Sequence, residues 1–201
     1  MGRAWVPCRA TAPGVEISVV AFSPQNVRVA EKLYVLVGGW PASGKSTLAK
    51  GLARELGLPL LSKDEIKEAM IDALGHPTGV AVSRELGQAA VRVMLRVAHR
   101  CPAGAVMDST WYPYTLPLVE DLQGHIVEVR CILARELARK RYLARARSRH
   151  PGHLDIERSE NELWGRPVDP LGVGSLVEAD TSEPIDEGAL ARIVLARAEG
   201  R

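Results

Sequence analysis

Hydrophobic and polar positions follow one another in the order expected for a strand, a turn and a helix. Leu33–Val37 is an uninterrupted apolar run, which predicts a strand buried on both faces. A glycine-rich turn follows it. In the next segment, Thr47–Leu56, the side chains of Leu48, Leu52 and Leu56 share one helical face. The pattern therefore predicts a buried strand that leads through a turn into an amphipathic helix.

The same alternation continues along the rest of the chain. Further strands are predicted at 59–62, 105–107, 125–133 and 174–179. Helices are predicted at 63–74, 82–99, 135–147, 155–163 and 186–198, and another ends near Gln123. The buried stripe of the helix at 82–99 is predicted to contain Leu86, Ala90, Val93, Met94 and Val97. This alternation predicts an α/β fold, with a five-stranded, mainly parallel sheet and helices on both faces.

Composition limits the classes of protein to consider. The 201 residues suffice for one α/β domain, and the 46% apolar and 25% charged fractions are typical of a soluble globular protein. The formal net charge of +2 indicates no general preference for polyanions. Prolines interrupt residues 1–30, which are predicted to be a non-catalytic extension, ordered or disordered, before a domain at 31–201.

Cysteine spacing and hydropathy bear on the compartment. Cys8, Cys101 and Cys131 form no CxxC pair, which favours reduced thiols in a cytoplasmic protein. The chain has no run of 18 apolar residues, so no membrane span is predicted.

The turn after the first strand carries the most specific chemical signal. Residues 39–46 read GWPASGKS and match the P-loop pattern G-x-x-x-x-G-K-[ST]. Glycine lets backbone N–H groups approach a polyphosphate, and the following helix presents its positive end to it. Lys45 is expected to contact the terminal phosphates of ATP, and Ser46 is expected to bind Mg2+. The alternative is an ordinary glycine turn before an amphipathic helix.

Three carboxylates, Asp64, Asp108 and Asp180, follow three of the predicted strands, at the strand ends where ligands bind in doubly wound folds. Asp64 is a candidate general base that accepts a hydrogen bond from an attacking hydroxyl, or else it is a helix N-cap. Asp108 is a candidate to hold a Mg2+-bound water or the acceptor, or else it is a turn residue at a strand end. Together with the P-loop, these positions predict a phosphoryl-transfer site.

A basic helix precedes the irregular stretch 149–170. Basic side chains are concentrated between residues 139 and 149. Of these, Arg141 and Arg145 are four residues apart and share a helical face. Two such arginines can clamp a transferring phosphoryl group when a lid closes, so a lid is predicted at about 139–170. The alternative is a solvated basic face.

These residues together resemble the P-loop kinase-like group that includes the 5′-kinase domain of polynucleotide kinase, chloramphenicol phosphotransferase and the zeta toxins. The resemblance spans about 33–195 and implies Asp64 as catalytic aspartate, Lys67 and Asp108 as acceptor ligands, and Thr181 beside the adenine. Trp40, where the group has a small residue, and Lys67, where it has an arginine, depart from its pattern. The implied nucleotide ligands are Gly39, Trp40, Pro41, Ala42, Ser43, Gly44, Lys45, Ser46, Thr47 and Thr181.

The predicted function is an ATP- and Mg2+-dependent kinase that phosphorylates a hydroxyl of a small molecule. Asp64 is the predicted base, Lys45, Arg141 and Arg145 neutralise developing charge, and Ser46 and Asp108 hold the metal. One alternative is a 5′-hydroxyl polynucleotide kinase, in which Arg84, Arg92 and Arg96 of the helix at 82–99 would contact backbone phosphates. Another is a nucleotide-binding regulatory module with slow hydrolysis.

Overall fold

The computed structural model describes residues 31–146 and 148–200. The predicted extension at 1–30 lies outside the described residues. The core is a five-stranded sheet with the order β2-β3-β1-β4-β5, in which all neighbouring strands are parallel. Its strands are β1 (Leu33–Gly39), β2 (Leu60–Ser62), β3 (Gly104–Asp108), β4 (His125–Ile132) and β5 (Ser175–Asp180). The predicted α/β fold with a parallel sheet is confirmed.

Helices connect the strands and cover the sheet. They are α1 (Lys45–Leu56), α2 (Lys63–Leu74), α3 (Val80–Arg100), α4 (Leu116–Glu120), α5 (Arg135–Arg145), α6 (Glu160–Trp164) and α7 (Glu187–Ala198), with short 3-10 turns at Pro113–Thr115 and Pro151–His153. The predicted start of the helix at 155–163 is wrong, because α6 begins at Glu160. The hydroxyl of Ser159 accepts a hydrogen bond from the Glu162 backbone N–H at 3.2 Å, so this cap fixes the first turn at Glu160.

Side chains of β1 alternate between two apolar layers. Val35 and Val37 face α1 and α7, whereas Tyr34 and Leu36 face α3 and α4. Every residue of β1 is buried, as expected for the central strand of a sheet covered on both faces.

The predicted buried stripe of α3 is partly wrong. Val93 and Val97 are each 44% exposed, whereas Val91, Leu95 and Ala98 are buried with Ala90 and Met94. The buried face also includes Ser83 and Gly87, at positions where α3 meets neighbouring segments rather than the sheet. A prediction that counts only apolar residues therefore assigns the wrong face of α3 to the core.

The register of the strands gathers three chain segments at one edge of the sheet. Asp108 lies opposite Val37 of β1 and opposite Ser62 of β2. The P-loop therefore starts beside the carboxyl ends of β2 and β3, which carry the predicted carboxylates. Across residues 31–146 and 148–200, no helix is both long and apolar enough to cross a membrane.

Candidate nucleotide and acceptor site

The loop between β1 and α1 has the backbone of a phosphate cradle. Gly39, Ala42 and Gly44 have positive φ angles of 133°, 59° and 89°. A Cβ on Gly39 would lie 2.7 Å from the backbone oxygen of Cys131, so only glycine fits there. α1 begins directly after Gly44, and its first N–H groups have no partner within the helix. The loop therefore presents donors and the positive end of a helix to one concave surface.

Lys45 lies across this loop. Its Nζ donates to the backbone oxygen of Trp40 at 2.7 Å. Burial lowers the pKa of Lys45, while Asp108 and Asp64 act in the opposite direction and Arg145 adds to the lowering. The ammonium is therefore within electrostatic range of both carboxylates and of one arginine of α5.

Ser46 and Asp108 form a pair at the start of α1. Asp108 is the buried last residue of β3, and Ser46 follows Lys45 in the first turn of α1. Burial raises the pKa of Asp108, against the lowering influence of Lys45 and Ser46. Mg2+ binds through one or two protein oxygens while phosphate and water complete its shell, so this hydroxyl–carboxylate pair fits that ion. Among the described residues, no group of three or more His, Cys, Asp or Glu side chains is arranged to hold a metal ion.

The N-cap alternative for Asp64 is wrong. α2 is capped by Ser62, whose hydroxyl accepts a hydrogen bond from the Glu65 backbone N–H at 3.4 Å. The Asp64 carboxylate instead accepts from Lys63 Nζ at 2.7 Å through Oδ1 and from Arg149 Nη2 through Oδ2. Its side chain stays 38% exposed.

The neighbours of Asp64 lower its pKa. Burial alone would raise the pKa of Asp64, but Lys63, Arg149 and His153 outweigh it and hold that pKa far below its ordinary value. These contacts therefore favour the charged form of Asp64, which accepts hydrogen bonds, and its role as base stays a prediction.

The two arginines predicted as a clamp have different surroundings. Arg141 donates to the backbone oxygens of Thr181 at 3.0 Å and Ser182 at 3.2 Å, which ties α5 to the end of β5. Arg145 instead lies 5.9 Å from the ring centroid of Tyr142. Its buried Nε has no hydrogen-bond partner in the part of the chain that the structure describes. Burial and Arg149 lower the pKa of Arg145, and Asp64 opposes them. Arg145 is thus the arginine of this pair near the carboxylates, and closure of a lid stays a prediction.

Lys67 does not reach the surface. It is 1% exposed, and its Nζ donates to Ser83 Oγ at 2.6 Å, which in turn donates to the backbone oxygen of Gly152 at 3.0 Å. Burial, together with Lys63 and Arg158, lowers the pKa of Lys67 to about 8. Its predicted contact with an acceptor stays a prediction, and in this structure its ammonium joins α2, α3 and residue 152.

Thr181 and Trp40 also have partners within the protein. Thr181 Oγ1 donates to the backbone oxygen of Ile132 at 3.0 Å. The ring of Trp40 lies 5.6 Å from that of Trp164 between centroids, and Trp164 lies 5.9 Å from Tyr142. We call Trp40, Tyr142 and Trp164 the aromatic cluster; it joins the P-loop to α5 and α6.

The segment 149–153, here called the strap, falls within the predicted lid, but sequence reasoning assigned its side chains no partners. Arg149, His153 and His150 pair with the three acidic side chains that α2 presents at four-residue spacing. The pairs are Arg149 with Asp64, His153 Nε2 with Glu68 Oε1 at 2.7 Å, and His150 Nε2 with Asp72 Oδ1 at 3.1 Å. The four-residue spacing of these acidic residues was the feature of the sequence that could have indicated a basic partner along this face of α2.

Comparison with known proteins places the chain in a family. The family model AAA_33, described as "AAA domain", matches residues 34–163. The chain belongs to this family. Uncharacterized proteins of Mycobacterium tuberculosis and Mycobacterium bovis are 31% identical to this AAA_33 chain over 157 residues. That match covers 68% of the chain but 30% of the length of those curated relatives.

Solved structures share the fold of this AAA_33 protein. A protein of Chloroflexus aurantiacus j-10-fl, provisionally assigned as a kinase, is 29% identical over 84% of this chain and 98% of its own, with a TM-score of 0.73. Mycobacterium tuberculosis APS kinase CysC, in complex with AMPPNP and APS, has a TM-score of 0.57 at 16% identity, covering 85% and 99% of the two chains. Chaetomium thermophilum Kti12, in complex with ADP-AlF3, has a TM-score of 0.58 at 18% identity, covering 83% and 98%. The chain therefore has a P-loop kinase-like fold, typical of nucleotide-binding phosphotransferases.

Proposed function

We propose that this protein is an ATP- and Mg2+-dependent kinase that phosphorylates a hydroxyl group of a small molecule. The observation that carries the proposal is the partly exposed carboxylate of Asp64, paired with Lys63 and Arg149, beside a P-loop. A module that only binds nucleotide needs no such acceptor of hydrogen bonds, whereas phosphoryl transfer needs a group that orients the attacking hydroxyl.

Each residue of the site has a proposed role that follows from its position. The loop N–H groups and Lys45 would hold the terminal phosphates, and Ser46 with Asp108 would hold Mg2+. The metal, when bound, neutralises charge on the phosphates. Asp64 would accept the hydrogen bond of the acceptor hydroxyl and take its proton. Arg145, within electrostatic range of Asp64, would meet the charge that develops on the transferring group.

A small acceptor is favoured over a nucleic acid by the surroundings of the basic residues on α3. Arg84 pairs with Glu162 of α6 at 3.1 Å, a carboxylate that Arg158 also contacts, so one of the three arginines expected to contact a phosphate backbone is engaged within the protein. Arg92 and Arg96 are exposed on the same helix.

The test is a screen of hydroxyl metabolites scored by ADP release with ATP and Mg2+, with a 5′-hydroxyl oligonucleotide included. With the acceptor that the screen yields, Asp64→Asn is expected to lower turnover by about 100-fold or more while ATP affinity changes little. Glu65→Gln, a neighbouring exposed carboxylate on α2, is the matched control and should leave turnover unchanged. Full activity of Asp64→Asn would refute the mechanism, and ATP hydrolysis that no acceptor stimulates would favour a regulatory module.

A further inference from the structure

We propose that Arg149 is a positioning residue for the phosphoryl-transfer step: it holds the Asp64 carboxylate in the orientation in which the acceptor hydroxyl meets it. The inference rests on the proposed function, because it assigns a role relative to Asp64. It concerns a residue of the strap rather than the two arginines of α5.

The guanidinium bridges two carboxylates. Nη2 of Arg149 donates to Asp64, and Nη1 donates to both carboxylate oxygens of Asp155, at 3.0 Å and 3.3 Å. Exposure falls along the bridge, from 38% for the Asp64 side chain to 19% for Arg149 and 4% for Asp155. The buried Asp155 therefore anchors the arginine, and the arginine in turn restrains the more exposed carboxylate.

The bridge leaves Asp64 usable. A carboxylate has about four lone-pair positions, and the contacts of Asp64 with Lys63 and Arg149 occupy one on each oxygen. The partial exposure of its side chain leaves room for a further donor. An acceptor hydroxyl can therefore bind Asp64 without displacing Arg149.

The strap holds its place through contacts other than Arg149. Ser83 donates to the Gly152 backbone oxygen, and a Cβ at Gly152 would lie 2.6 Å from Ile71 Cδ1, so the backbone meets α2 closely. His150 and His153 add the pairs to Asp72 and Glu68. Loss of the Arg149 side chain should therefore leave the strap docked.

Removing Arg149 has a consequence that a purely structural role would not produce. Burial raises the pKa of Asp64, and Lys63 and Arg149 are the two strongest opposing influences. The charged groups that act on Asp64 from the surrounding elements are Lys45 of α1, Lys63 and Lys67 of α2, Asp108 of β3, Arg145 of α5, and Arg149 and His153 of the strap. With Arg149 replaced by a neutral side chain, we expect the pKa of Asp64 to rise.

The test compares Arg149→Met and Arg149→Lys with Arg139→Met. Arg139 is an exposed arginine of α5 that pairs with Glu160 at 2.8 Å, so its loss makes the same charge change away from Asp64. For Arg149→Met we expect kcat to fall by about 10- to 100-fold with ATP affinity within about twofold of wild type. The acid limb of kcat/KM should move to higher pH. Arg149→Lys should restore part of kcat, and Arg139→Met should behave as wild type.

A second measurement needs no acceptor. The Asp64 carboxyl carbon, assigned by its loss in Asp64→Asn, is titrated by 13C NMR, and its pKa is expected to rise in Arg149→Met but not in Arg139→Met. An unchanged titration would overturn the inference, and so would a raised pKa with unchanged kcat or a kcat that increases. A wild-type protein that phosphorylates no acceptor would instead refute the proposed function, and the NMR titration would still show whether Arg149 controls Asp64.

Discussion

Replacing the buried Lys67 with methionine should change how the stability of the protein depends on pH. The pKa of Lys67 falls from 10.5 to about 8 on folding, because its ammonium is buried among Lys63, Arg158 and Arg149. One pKa unit corresponds to about 1.4 kcal/mol, so burial of the charged form costs on the order of 3 kcal/mol. The methionine side chain would keep a flexible chain of similar length, and Ser83 would still donate to Gly152.

The direction follows from proton binding. Below pH 8 both the folded and the unfolded chain carry the proton on Lys67, and the full cost applies. Between about pH 8 and 10.5 the folded chain has lost this proton while the unfolded chain keeps it, so stability rises with pH. The free energy of unfolding of wild type, minus that of Lys67→Met, should therefore increase by about 2–3 kcal/mol between pH 7 and pH 10.

Urea denaturation followed by circular dichroism at pH 7, 8, 9 and 10 measures this difference, and the subtraction removes the titration of other groups. Lys50→Met is the matched control, since the Lys50 side chain is 65% exposed on α1. For that variant the difference from wild type should stay flat. A flat or falling difference for Lys67→Met would refute the reasoning, because it would mean that the ammonium is as well solvated in the folded protein as in water.

Three further predictions concern the loop and the segments around it. Lys45→Ala should lower kcat/KM by about 100-fold or more, because it removes the charge at the β/γ-phosphates; turnover close to wild type in the folded variant would contradict the P-loop assignment. Arg145→Ala should lower kcat more than it weakens ATP binding measured by calorimetry, whereas weaker binding with unchanged kcat would make this arginine a ground-state ligand. Trp164→Ala should reduce the free energy of unfolding by about 3–5 kcal/mol in urea, because Trp164 is buried against Trp40; a loss under about 1 kcal/mol would show that the aromatic cluster contributes little.

Local sequence patterns predicted the elements that depend on local physics. The apolar run of β1, the glycine loop and α2 at Lys63–Leu74 were all readable, since burial periodicity and turn chemistry act over short distances. The rotation of α3 was not, because the small residues Ser83 and Gly87 belong to its buried face. The sequence also did not reveal Arg149 as the partner of Asp64, because the two lie 85 residues apart and meet only through the fold.

The central place of β1 has a consequence for synthesis on the ribosome. β1 is the first strand of the sheet to emerge, yet its two neighbours are β3 and β4, so Leu33 must wait for residue 104 on one side and residue 125 on the other. At about 5–20 residues per second, that interval lasts on the order of several seconds. During it, a strand that is fully buried in the finished protein has neither of its neighbours in the sheet. The nascent chain is therefore most exposed to chaperone binding or misassociation before β3 is complete, and codon changes that slow translation between α1 and β3 should lengthen that period.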